Sequence, residues 1–129
     1  MAGVRTGITC DANLMNLKEI SPNQVRQEVH AFLVPGENII QCFQTVRDQV
    51  IFTDKRVFVL NVQGITGKKV SYFSYPYSKV IFYGIETAGF LDIDSELVLV
   101  FADGTHLQFD FVSTADIKSI CANIQHYIL

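Results

Sequence analysis

The chain has 129 residues, 49% of them hydrophobic, which is enough to fill one core of ordinary size. Its longest apolar runs, Val80 to Ile85 and Leu97 to Ala102, fall far short of the roughly 20 residues that a bilayer-crossing helix needs. Ten Lys+Arg against thirteen Asp+Glu give a net charge of −3, so no overall field draws the molecule to nucleic acid or to an anionic membrane; a nucleic-acid partner is excluded and membrane association disfavoured as expectations.

Residues 1–20 carry no strong period, although Leu14, Leu17 and Ile20 are spaced to dock as one short apolar edge. Arg5 is followed by no apolar stretch, so a secretory leader is not expected. The three cysteines, Cys10, Cys42 and Cys121, cannot all pair within one chain and include no Cys-x-x-Cys spacing, which suits a reducing cytoplasm. Ser21 opens a helix on good chemistry: a hydroxyl N-cap, Pro22 at the first helical position and Gln24 to close a capping box, with Ile20 and Val25 as the staple. Val25, Val29, Phe32 and Leu33 then form one apolar stripe, and Pro35-Gly36 ends the helix.

From Glu37 to Val112 the pattern changes to short β-branched and aromatic runs separated by Gly, Asp and Asn. Seven strands are expected: Glu37 to Val46, Gln49 to Thr53, Arg56 to Gln63, Lys69 to Tyr75, Lys79 to Thr87, Glu96 to Ala102 and Thr105 to Val112, with tight turns at Asp54-Lys55 and Asp103-Gly104. Ser113 to Asp116 is a second capping box, after which Ile117, Ile120, Cys121, Ile124 and Ile128 recur at helical spacing. The reading is a mainly β protein: a seven-stranded bent antiparallel sheet capped by a C-terminal α-helix, with an N-terminal helix beside it. It forms one domain over 1–129, in which 1–35 is an N-terminal extension and helix and 36–129 the barrel and closing helix.

The middle strands are apolar on both faces, as in Val57, Phe58, Val59, Leu60 and Val62, or Val80, Ile81, Phe82, Tyr83 and Ile85. One face belongs to the core, and something must cover the other. The stripe of the N-terminal helix is expected to cover part and an identical subunit the rest, with Tyr72, Tyr75 and Tyr77 suited to such an interface.

Several ordered segments carry a family resemblance: Val34-Pro-Gly-Glu-Asn-Ile, the hairpin from Thr45 to Arg56, Asn61 to Lys69, and Glu86 to Leu97. From about Glu28 to Leu129 the chain resembles the bacterial pleckstrin-homology (PH) domain family. That resemblance implies a PH-like barrel, a non-enzymatic role without cofactors, and assembly into homo-oligomers.

No catalytic constellation and no metal-ligand spacing stands out. Gly64-Ile-Thr-Gly67-Lys68-Lys69 has the glycines and lysines of a phosphate-gripping loop but precedes a strand, where a P-loop precedes a helix. Lys55, Arg56, Lys68 and Lys69 make an anionic-ligand patch only if their loops converge. The turn Arg47-Asp48 is short and nearly neutral. Asp92, Asp94 and Glu96 are spaced along one side of a strand, where they are expected to meet cations across a subunit boundary rather than a metal. The sequence thus favours a self-associating scaffold or binding module. The alternative is a monomeric recruitment domain for a peptide or an anionic lipid.

Overall fold

The computed structural model describes residues 16–86, 95–112 and 117–129. Strands form where the sequence turns β-branched and aromatic. A five-stranded antiparallel sheet takes the order β1 (Lys18–Ile20), β2 (Ile39–Gln44), β3 (Gln49–Thr53), β4 (Arg56–Gln63) and β5 (Lys69–Pro76). A second sheet holds β6 (Val80–Glu86), β7 (Ser95–Phe101) and β8 (His106–Phe111), and α1 (Ile117–Ile128) closes the described chain.

The turns are made by local chemistry. At Asp54-Lys55 the Thr53 hydroxyl accepts from the Lys55 and Arg56 amides at 3.1 and 3.0 Å, which pins the hairpin. Between β7 and β8, Gly104 adopts φ +90, open to glycine at no steric cost, and the Asp103 carboxylate accepts from the Thr105 amide at 3.0 Å.

The two sheets are tied on one side by Leu17. Its N–H donates to Asp110 O at 2.9 Å and its carbonyl accepts from Val112 N at 3.1 Å, while its side chain is wholly buried. On the other side the chain turns from β5 into β6 through a 3₁₀ turn, Tyr77–Lys79, and among the described residues neither strand pairs with the other. Inward residues of both sheets, among them Phe43, Phe52, Val59, Leu99 and Phe109, meet Ile120 and Ile124 of α1 in one core. Phe43 packs edge-on against Phe52 and Phe111, the geometry that ring quadrupoles favour.

The architecture departs from the expected one in two respects. The described residues form eight strands in two sheets rather than seven in one bent sheet, because Lys18-Glu-Ile20 pairs with β2 at Lys18↔Gln44 and Ile20↔Cys42. A three-residue edge strand has too little pattern to announce itself. The N-terminal α-helix is replaced by two 3₁₀ turns, Pro22–Gln24 and Gln27–Phe32, with Val25 extended between them. The Ser21 cap and capping box form as the sequence requires. What stops the α-helix is Gln49 on β3: its amide donates to Gln24 O at 2.9 Å and accepts from Arg26 N at 3.0 Å, taking backbone groups that a helix would pair internally.

The segment from Ile20 to Leu33 therefore lies on the sheet as a strap. Val25 and Val29 are buried against Cys42, Ile51, Phe58 and Leu60 on the outer face of the five-stranded sheet, with Leu33, Val70 and Tyr72 at the margin. The chain itself thus covers much of the second apolar layer.

Candidate functional site

The four basic residues singled out from the sequence do not converge. Lys55 and Arg56 stand at one end of β4, and Lys68 and Lys69 lie beyond its other end, roughly 25 Å away at the rise of a strand. Arg56 is structural: its guanidinium donates to Glu37 at 2.7 and 2.9 Å, to Phe32 O at 2.6 Å and to Ser74 Oγ at 3.2 Å, and it lies 4.3 Å from the centre of the Phe58 ring. The Glu37 carboxylate is fully buried. Burial alone would raise its pKa, but bonds from Arg56, Thr53 and the Val34 amide hold it below the usual value. The pair fastens the end of the strap to the sheet.

The tyrosines divide. Tyr77 is buried, with its hydroxyl donating to Thr53 O at 2.7 Å, and burial first of all pushes its pKa up. It belongs to the core. Tyr75 packs at the core margin against Phe101, ring centres 5.4 Å apart, and Tyr72 packs against Phe32 at 5.0 Å. Asp92 and Asp94 lie outside the described residues. Glu96 sits on the outer face of the second sheet, in register with Glu86 on β6 and Asp110 on β8. Its pKa is raised to about 7, first by a hydrogen bond with Glu86, then by burial and by the charge of Asp110. Gln108 Nε2 bridges Glu96 and Asp110 at 3.0 and 3.2 Å.

Among the described residues, no group of three or more His, Cys, Asp and Glu is arranged to hold a metal. Cys42 is buried, donates to Ile20 O at 3.2 Å and has its pKa pushed up to about 11 chiefly by burial. That is a packing role, not a nucleophile's.

Three surface features emerge that sequence reasoning did not place. The first is β6, an edge strand whose side chains Ile81 and Phe82 are 61% and 58% exposed, with Ile85 exposed beside them. The second is an apolar cleft of about 310 Å³ at the corner between the sheets, lined by Tyr75, Pro76, Lys79, Phe101, Ala102, Asp103 and Thr105. The third is a cationic loop end. The Arg47 guanidinium donates to Gly64 O and Arg26 to Gly67 O at 3.4 Å, which gathers both arginines around the loop that carries Lys68 and Lys69. Asp48, counted in the sequence as the neutralising partner of Arg47, is buried and accepts from Val62 N at 2.8 Å. The exposed charge of that turn is therefore positive.

A five-stranded and a three-stranded antiparallel sheet with a C-terminal helix packed into their shared core define a PH-like fold. The family model described as bacterial PH domain matches residues 9–128, and the chain belongs to that family. It is 42% identical over 87 residues to the uncharacterized protein YjqA of Bacillus subtilis, covering 67% of this chain and 70% of that one. The uncharacterized protein YozO of the same organism is 27% identical over 114 residues, covering 88% of this chain and 98% of its own. Among solved structures, a protein with a pleckstrin-homology domain from Shewanella loihica superposes with a TM-score of 0.78 at 32% identity, covering 89% of this chain and 99% of that one. A pleckstrin homology domain from Shewanella amazonensis gives 0.66 at 34% identity, covering 94% and 98%. No helix among the described residues is long and apolar enough to cross a membrane.

Proposed function

We propose that the chain is a non-enzymatic scaffold module that self-associates head to tail, β5, the outer strand of the first described sheet, in one copy meeting β6, an outer strand of the second, in the next. The observation that carries this reading is the exposed edge of β6, where Ile81, Phe82 and Ile85 stand in solvent beside backbone groups that no strand among the described residues takes. The two edges match in length, eight residues against seven. Antiparallel docking sets Lys69, which begins β5, against Glu86, which ends β6 beside Glu96 and Asp110. A lysine there relieves the mutual repulsion of three carboxylates, so the pairing is complementary in charge as well as in shape. Because the contact joins two different edges, it propagates from copy to copy and closes into a ring when the rotation permits.

The test is solution mass by light scattering coupled to size exclusion. The wild type should be oligomeric at micromolar concentration and Phe82→Lys monomeric. Lys69→Glu and Glu86→Lys should each weaken assembly, and the double variant restore it. A monomeric wild type, or single reversals without effect, would sink the reading. A second reading, a monomeric recruitment domain for an extended peptide, is favoured by the apolar cleft under Tyr75 and Phe101. Peptide-array binding that Phe101→Ala abolishes would promote it.

A further inference from the structure

The cleft at the corner between the sheets has an apolar floor and a rim that carries both signs of charge. The Tyr75 and Phe101 rings meet at 5.4 Å and 47°, an angled aromatic wall that Pro76 and Ala102 extend, and the space beside them is about 310 Å³. That lies at the low end for ligand pockets and suits one large side chain rather than several residues of a chain. Two charged side chains line it, Lys79 and Asp103, both exposed. The Ala102 amide donates to Lys79 O at 2.8 Å, which sets Lys79 beside the residue that precedes Asp103. Bonds from the Thr105 hydroxyl and amide hold the Asp103 carboxyl below its usual pKa, so the group is ionised near neutral pH. The turn that carries it is fixed by Gly104 at φ +90 and by a bond of 2.9 Å from Phe101 N to Thr105 O, so the cleft is preformed.

We infer that this cleft binds a free amino acid with an aromatic side chain, its ring against Tyr75 and Phe101, its α-carboxylate toward Lys79 and its α-ammonium toward Asp103. Charge complementarity selects this occupant. An apolar acid would be attracted by Lys79 and repelled by Asp103, an apolar amine would meet the reverse, and only a zwitterion satisfies both. The aromatic wall favours a ring over an aliphatic side chain. The second reading above gives the same cleft to an extended peptide, whose internal residues carry neither charge on their backbone. The inference depends neither on that reading nor on self-association, because one copy supplies every group in the cleft.

Amide NMR titration of the isotope-labelled full chain with L-tryptophan tests the inference, run on the wild type and on Phe82→Lys. Shifts should centre on Lys79 and on Phe101 to Thr105 and saturate with a Kd on the order of 1 mM in both proteins. Tryptamine, which lacks the carboxylate, and indolepropionate, which lacks the ammonium, should each bind about threefold more weakly. Lys79→Gln should weaken binding of L-tryptophan but not of tryptamine. Asp103→Asn, which keeps an acceptor for the Thr105 amide, should weaken binding of L-tryptophan but not of indolepropionate. Absence of saturable shifts at ten times that concentration, or equal affinity for the three ligands, would overturn the inference. Binding of N-acetyltryptophan amide as tightly as L-tryptophan would also overturn it and leave the cleft to the peptide reading.

Discussion

Arg56 and Glu37 show how much a single side chain decides here. The guanidinium reads as a surface cation in the sequence, yet it satisfies a fully buried carboxylate, a carbonyl of the strap and a serine of β5 at once. Arg56→Ala should cost about 3 kcal/mol in urea unfolding, chiefly because it leaves Glu37 buried and unpaired. Since the folded pKa of Glu37 is lowered, its contribution is complete above the unfolded value of roughly 4.3 and is lost as pH falls through the folded one. The stability gap between the wild type and Glu37→Gln should therefore narrow in acid below about pH 4. Glu96 carries the opposite sign. With its pKa raised to about 7, the fold holds a proton that the unfolded chain has released, so stability falls as pH rises from roughly 4.3 to 7. Between pH 5 and 8, Glu96→Gln should lose fewer degrees of Tm than the wild type in dilute solution.

At the scale of elements, the strap is governed by competition for backbone hydrogen bonds. Ser21, Pro22 and Gln24 form their cap as the sequence demands, and Val25 and Val29 are buried as the apolar stripe demands. The conformation between them differs because Gln49 offers both a donor and an acceptor to the backbone at Gln24 and Arg26. Gln49→Ala should cost about 1–3 kcal/mol and speed amide exchange across residues 22–33 before the rest of the sheet opens. The join between sheets has a similar logic. Leu17 contributes two backbone bonds and a wholly buried side chain where the five-stranded sheet meets β8. Leu17→Ala should lower stability by about 2–4 kcal/mol, read from the denaturant midpoint at an unchanged slope.

For the whole molecule, the second apolar layer is shared out unevenly. The strap covers the outer face of the five-stranded sheet, which reduces the surface that a partner must bury, and leaves β6 exposed at the edge of the second sheet. This concentrates the expected association at one edge rather than over a broad face.

The sequence by itself determined the parts that rest on local pattern. Gln49–Thr53 and Arg56–Gln63 fall on the bounds expected from β-branched periodicity, and Ile117–Ile128 follows the helical spacing of Ile120, Cys121 and Ile124. The family resemblance lay in motifs of the same kind. Tertiary structure alone decided which charges face which. Arg56 turned to Glu37, Asp48 turned inward from Arg47, and Arg26 crossed to a loop 41 residues away. The reason is physical: strand and helix periods are set by neighbours within a few residues, whereas the partner of a charge is chosen by burial and by the approach of segments far apart in the chain.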